Sequence, residues 1–280
     1  MVTLESRQDA IDARIDEHLS GLEPPALADS VRHAALAGGK RVRPTVTLYM
    51  CEALGGTTEE AMEYAVGIEL VHAASLVVDD IIDRSNRRRD TASAWATYGH
   101  GGALTASDGL IGEAFSLFSS DTTATQIVAS AMGSLGAGEA TELVAPPETR
   151  EGYEELATRK TGALFRAAAE LGAHGADARE DSVALAGEYG ERVGVAFQIR
   201  DDVLDETSTA STLGKPTGRD EAMDRPSVIR ATDLSPEDAT TLAERHADSA
   251  IHALESLDVV DDEAGTYLES LARYTVERDR

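Results

Sequence analysis

Residues 58–83 read TEEAMEYAVGIELVHAASLVVDDIID. Gly55 and Gly56 before them read as a stop, and Thr57 and Thr58 as a cap, so the stretch predicts one helix running to about Asp83. Its body is apolar, yet it ends in Asp79, Asp80 and Asp83. The pattern returns at residues 197–205, FQIRDDVLD, where Asp201, Asp202 and Asp205 follow Gln198. Positions i and i+4 share a helix face, so Asp79 pairs with Asp83 and Asp201 with Asp205. Gln198 joins the second stripe from three residues earlier.

Outward from these two segments the periodicity stays helical. Ile11, Ile15 and Leu19 make one apolar stripe on a first helix, which Pro24 and Pro25 close. Gly38, Gly39 and Pro44 punctuate a turn before the next helix. Further helices fit about 103–119, 124–143, 151–173, 179–206, 236–256 and 262–278, with a Gly- and Pro-rich loop from Gly214 to Asp220. Few β-branched or aromatic runs occur among the 280 residues, and a 42% hydrophobic content suffices for a large core. No low-complexity linker divides the chain. The expectation is one all-α domain over residues 1–280.

The charge balance excludes whole classes of function. With 25 basic and 51 acidic residues the formal charge is −26, which disfavours nucleic acid and anionic membranes as partners. No apolar run reaches the ~18 residues of a membrane span. The first ten residues lack a hydrophobic signal core, and Cys51 stands alone, so a soluble cytoplasmic protein is expected. Among the basic residues 22 are Arg and only Lys40, Lys160 and Lys215 are Lys. An acid-rich, lysine-poor chain fits a halophilic protein, because in molar salt the Debye length is roughly 3 Å and self-repulsion is screened.

The clusters carry the chemistry. Closely spaced carboxylates repel and need counter-charge, and hard oxygen donors with room for phosphate oxygens suit Mg²⁺. A solvated acidic face is the plain alternative for one cluster; apolar flanks and the repetition weaken it. Each lysine stands beside glycine, in Gly39-Lys40, Lys160-Thr161-Gly162 and Gly214-Lys215. Glycine permits close backbone approach and lysine is a point-charge partner for phosphate. Arg87, Arg88 and Arg89 follow the first cluster by four residues.

Together, and in this order, the segments resemble the trans-isoprenyl diphosphate synthases, the polyprenyl synthetase family. The first basic motif is similar to Gly38 to Pro44, and the first aspartate-rich motif to Asp79 through Asp83 with Arg88 and Arg89 behind it. The Lys-Thr-Gly motif is Lys160 to Gly162, the second aspartate-rich motif Phe197 to Asp205, and the Gly-Lys loop Gly214-Lys215. The resemblance implies an antiparallel helical bundle around a central cavity, usually homodimeric. It implies head-to-tail condensation of isopentenyl diphosphate with an allylic diphosphate. Several Mg²⁺ ions are expected on Asp79, Asp83 and Asp201, supported by Asp80, Asp202 and Asp205. Arg88, Lys160 and Lys215 are expected on the allylic diphosphate, with Thr161 and Gln198 lining its cavity. Lys40, Arg43 and Arg89 are expected on isopentenyl diphosphate, with His72 beside them, although a lone His on an apolar helix is more often a core residue.

Departures from the family pattern stand at Asp90 to Trp95, at Gly138-Glu139 to Glu142, and at Asp224 to Ser227, where Arg225 takes the place of a lysine. Ahead of the first cluster, Val71 and Ser75 lie on the Asp79 stripe and Ala74 beside it. Ala74 and Ser75 are small, so an early aromatic floor is absent there and geranylgeranyl diphosphate is the expected product, with Phe115 and Phe118 as other floor candidates. Two rival functions remain: a weakly active partner subunit of another prenyl synthase, and a class I terpene cyclase. Intact aspartate clusters count against the first, and a second set of cations against the second.

Overall fold

A computed structural model describes residues 4–89, 91–211 and 226–277, with side chains described up to Thr207 in the second of these stretches. Asp90, Lys215, Arg225 and the residues from Asp224 to Arg225, together with the Gly214 to Asp220 loop, lie outside the described residues.

Among the described residues the regular elements are helices, apart from a two-stranded hairpin. The order is α1 (Leu4–Ser20), α2 (Pro25–Ala35), α3 (Val42–Ala53), α4 (Thr58–Ile82), β1 (Arg87–Arg88), β2 (Thr91–Ala92), α5 (Ala94–Phe118), α6 (Thr122–Val144) and α7 (Arg150–Ala157). A π-helical turn (Thr158–Gly162) leads directly into α8 (Ala163–Gly175). After it come α9 (Glu180–Ser211), α10 (Val228–Thr232), α11 (Pro236–Glu255) and α12 (Asp262–Glu277).

The α4 start is fixed by a capping box. Thr57 accepts from the Glu60 amide, and the Glu60 carboxylate accepts from the Thr57 amide at 2.8 Å. Pro25 opens α2 rather than only closing α1, since a proline at the first helical position loses no hydrogen bond. α5 begins nine residues before the expected 103, with a non-helical break at Gly99 (φ 72°). That glycine kinks α5 in the part that precedes the expected helix.

α3, α4, α8 and α9 pack side by side, with α3 against α4 and α8, and α8 also against α4 and α9. α5 covers the other side of α4, α6 lies against α8 and the π turn, and α11 against α9. Ile11, Ile15 and Leu19 of α1 are fully buried in the main core, as the stripe predicts. Among the described residues no helix is long and apolar enough to cross a membrane.

Candidate active site

A cavity of about 870 Å³ opens between the ends of α3, α4, α6, α8 and α9. α4 contributes His72, Ser75, Leu76 and Asp79 to its wall, and α9 contributes Phe197, Gln198, Asp201 and Asp202. The two aspartate clusters therefore face one space from two helices, with Asp79 on one wall and Asp201 on the other.

Within each cluster the aspartates divide. Asp80 is buried on the far side of α4, where Arg88 grips it at two points: Nε donates to Oδ2 at 3.1 Å and Nη2 to Oδ1 at 2.6 Å. The hairpin after α4 delivers that arginine. Asp202 has both oxygens engaged: Oδ1 accepts from Gln198 Nε2 (2.9 Å), and Oδ2 from the Tyr153 hydroxyl (2.6 Å) and the Val228 amide (2.7 Å). The resemblance implies supporting metal roles for Asp80 and Asp202; in the structure Arg88 engages the first, and Gln198, Tyr153 and the Val228 amide engage the second, which still lines the cavity. Asp83 caps α4, its amide donating to the Asp79 carbonyl at 2.8 Å, and like the exposed Asp205 it lies off the cavity lining.

A group of cations gathers in the lining around Arg43. Arg43 from α3 stacks on the Phe165 ring at 4.5 Å and donates Nη1 to His72 Nε2 at 3.0 Å. Arginine has only donors, so His72 accepts as the neutral imidazole with its proton on Nδ1. Burial, then the Arg43 and Arg89 charges, push His72 well below its ordinary pKa. Burial likewise lowers Arg43 to about 10, and its Nε is buried with no partner, a donor turned to an enclosed site. Arg88, Arg89 and Lys40 also line the cavity. Gly39 has φ +125°, and a Cβ there would fall 2.3–2.4 Å from the Arg89 guanidinium. Its missing side chain is what lets the hairpin arginine lie against the basic loop.

Arg41 is the residue that sequence reading missed. Its backbone is left-handed (φ 48°) and its side chain is buried. It donates to Asp12 Oδ1 (2.6 Å), Glu69 Oε1 (2.6 Å) and the Ala35 carbonyl (2.9 Å), tying the loop to α1, α2 and α4. Nothing in the run of four basic and glycine residues distinguishes this structural arginine from its neighbours.

The π turn presents Lys160 and Thr161 to the cavity. Such single wide turns recur at functional sites because they re-aim consecutive side chains. Thr161 donates to Gln198 Oε1 at 2.6 Å, so Thr161, Gln198, Asp202 and Tyr153 form one chain of hydrogen bonds. Burial, reinforced by the Asp202 charge, holds the Tyr153 hydroxyl protonated and donating. Tyr153 also escaped the sequence reading, since it lies 49 positions from its partner. Of the three positions expected to limit chain growth, Ser75 faces the cavity. Val71 and Ala74 are buried in the core beside it, with the Ala74 carbonyl accepting from Ser107 of α5 at 3.3 Å.

A profile of the polyprenyl synthetase family matches residues 24–257. The chain belongs to the polyprenyl synthetase family. It is 35% identical over 227 residues to a geranylgeranyl diphosphate synthase of Methanosarcina mazei, covering 78% of this chain and 70% of that protein. It is 34% identical over 229 residues to a short chain isoprenyl diphosphate synthase of Methanothermobacter thermautotrophicus, covering 79% and 70%. A geranylgeranyl pyrophosphate synthetase from Pyrococcus horikoshii superposes with a TM-score of 0.89 at 31% identity, covering 99% of this chain and 97% of that one. A polyprenyl synthase from Caulobacter crescentus, complexed with calcium and isoprenyl diphosphate, gives 0.86 at 25% identity, covering 99% and 96%. This polyprenyl synthetase is accordingly a prenyltransferase that lengthens a prenyl chain, with an all-α isoprenoid synthase fold.

The donor set fits a divalent cation of the Mg²⁺ type. Among the described residues no group of three His, Cys, Asp or Glu side chains converges tightly enough to hold a metal unaided. Mg²⁺ does not ask for one, because it takes one or two carboxylates and completes its shell with waters and substrate phosphates. Asp79 and Asp201 supply hard oxygens from facing walls, beside cations suited to phosphate.

Proposed function

We propose that this chain condenses isopentenyl diphosphate with an allylic diphosphate, head to tail, in the presence of Mg²⁺, and releases geranylgeranyl diphosphate. One observation carries the reading: a single cavity is lined by Asp79 and Asp201 together with cations from separate elements, Lys40, Arg43 and Arg89 from the basic loop, α3 and the hairpin, and Lys160 from the π turn. Two cation groups suit two diphosphates, whereas a cyclase acts on one.

In this reading the allylic diphosphate lies between Asp79, Asp201 and Lys160, with Lys215 as a further contact. Mg²⁺, when bound there, supplies positive charge against the departing pyrophosphate. The allylic C–O bond breaks and its electron pair leaves with pyrophosphate. Arg43, Lys40 and Arg89 hold isopentenyl diphosphate so that its double bond faces the allylic C1, and the new C–C bond forms there. The released pyrophosphate takes a proton from the carbon next to the new cationic centre, the C–H electron pair restores a double bond, and the chain is five carbons longer. Thr161 and Gln198, fixed by Asp202, present oxygen atoms along the wall where positive charge develops.

The wider setting follows the same reading. Residues 1–280 act as one domain in the cytoplasm, and the acidic surface is an adaptation to salt. Two copies pair through α5 and α6: from Thr122 to Gly138 α6 carries no charged residue, although 27% of the chain is charged. Leu104 of α5 and Leu143 of α6 are more than half exposed.

The test incubates the purified protein in high salt with Mg²⁺, isopentenyl diphosphate, and in turn dimethylallyl, geranyl and farnesyl diphosphate. Twenty-carbon product after dephosphorylation is expected. Products ending at fifteen carbons overturn the chain length, and no elongation by folded protein overturns the reaction. Light scattering in the same buffer tests the dimer.

A further inference from the structure

We propose that Glu139 is a built-in competitor for the substrate's diphosphate at Lys160, and so sets the affinity of the allylic subsite. The inference rests on the reading above that Lys160 faces that diphosphate.

Lys160 lies between two carboxylates of α6. Its Nζ is 2.7 Å from Glu139 Oε1 and 2.5 Å from Glu142 Oε2. All three side chains are nearly buried, with 16%, 16% and 10% of their surface exposed, and all three line the cavity. Burial opposes the charge on Lys160, but Glu142 and Glu139 outweigh it and hold the ammonium above its ordinary pKa. One ammonium between two carboxylates leaves the group with a net charge of about −1, on a wall assigned to an anionic substrate. One carboxylate suffices to keep the lysine charged. Glu139 Oε2 is buried and has no hydrogen-bond partner, so the second carries an uncompensated desolvation cost.

The lysine stem is held while its head can turn. A Cβ on Gly138 would come 2.8 Å from Lys160 Cγ and 3.3 Å from its backbone nitrogen, so glycine lets α6 lie directly on the stem. The Lys160 backbone is fixed in turn by the π turn. Only the outer carbons and the ammonium remain to swing from the glutamates to a diphosphate. Each such swing exchanges one carboxylate contact for one phosphate contact, and Glu139 opposes it by charge repulsion with the incoming group as well.

The decisive comparison is the full chain with Glu139→Gln, with Lys160→Ala, and with both, titrated calorimetrically with geranyl diphosphate and Mg²⁺ in the absence of the second substrate. The amide keeps the shape and removes the charge. Glu139→Gln is expected to tighten binding by about three- to tenfold, the scale of one partly screened charge contact, with KM for isopentenyl diphosphate unchanged. Lys160→Ala is expected to weaken binding, and in its background Glu139→Gln is expected to recover at most the general repulsion, a smaller gain. A lesion of structure alone weakens binding and does not tighten it. Unchanged or weaker binding in Glu139→Gln, with Lys160→Ala still weakened, overturns the competitor role and leaves the diphosphate assignment standing. Unchanged binding in Lys160→Ala overturns that assignment, and the inference with it.

Discussion

Arg88 clasps Asp80 through two nitrogens, at 3.1 Å and 2.6 Å, with the carboxylate buried and the guanidinium reaching the cavity. Neighbouring helix positions differ by about 100°, so the residue directly after Asp79 points away from the substrate space and into this clasp. Asp79 and Asp80 thus do different work. Asp79→Asn is expected to lower kcat by at least about 100-fold and to raise the Mg²⁺ concentration needed for half-maximal rate. Asp80→Asn is expected to leave the Mg²⁺ requirement near that of the parent, while costing about 1–3 kcal/mol of stability, since one partner of a largely buried pair is left unmatched. Mg²⁺ titrations of activity, with denaturant unfolding of both variants, check the split.

The neutral His72 gives a pH signature. Its folded pKa lies well below the ordinary 6.5, chiefly through burial. Between those two values the unfolded chain binds a proton that the folded one does not. Stability from this group is therefore complete above about pH 6.5 and falls as pH drops below it, by up to one proton's worth of slope, ~1.4 kcal/mol per pH unit. His246, also lowered by burial, contributes in the same window, so the measurement is a difference. His72→Asn keeps an acceptor for Arg43 and removes the titration. Its unfolding free energy between pH 7.5 and 5.5 is expected to fall less steeply than the parent's; parallel slopes contradict the assignment.

Much of this site is legible in sequence because it depends on local spacing. The Thr57 cap and the apolar stripe of Ile11, Ile15 and Leu19 act within a few turns of helix, and the two Asp-Asp pairs mark the helices that bring Asp79 and Asp201 to one cavity. What escaped depends on partners far along the chain. Asp80 and Asp202 look like their neighbours until Arg88, Tyr153 and the Val228 amide arrive from separate elements. The link from α4 to the hairpin that carries Arg88 passes through left-handed Arg84, and the hairpin's turn begins at left-handed Arg89 (φ 50° and 56°), neither of them the glycine that announces such a conformation. The break in α5 at Gly99 and the π turn at Lys160 are departures of single residues from a regular helix. A periodicity of 3.6 cannot register them.

Gly39 offers a test of the basic loop alone. Its φ of +125° strains any residue with a Cβ, and that Cβ would displace the Arg89 guanidinium. Arg89 is the flexible partner and moves. Gly39→Ala is expected to raise KM for isopentenyl diphosphate by about tenfold, the loss of one charge-assisted contact. The affinity for geranyl diphosphate is expected to change little. Initial rates with each substrate varied in turn separate the two; equal losses in both contradict two distinct diphosphate subsites.

Ser75 is the position at which the chain-length reading can be made to fail. It stands one helical turn before Asp79, faces the cavity, and donates its hydroxyl back to the His72 carbonyl at 2.8 Å. A side chain grown from that point enters the cavity beside Asp79, and on the proposed reading it meets the lengthening prenyl chain there. Ser75→Phe is expected to shorten the main product from twenty carbons to fifteen or ten, with the first condensation preserved because Asp79 and the cations are untouched. Ala74→Phe is expected to act differently. Ala74 is 2% exposed and buried against α5, so a ring there overpacks the core and costs about 1–3 kcal/mol of stability, and the loss is read in thermal unfolding before it is read in product length. Chromatography of dephosphorylated products from the two variants distinguishes a floor from a core lesion. If Ser75→Phe still releases twenty carbons, the growing chain leaves the site by another wall, and Phe115 or Phe118 becomes the next position to change.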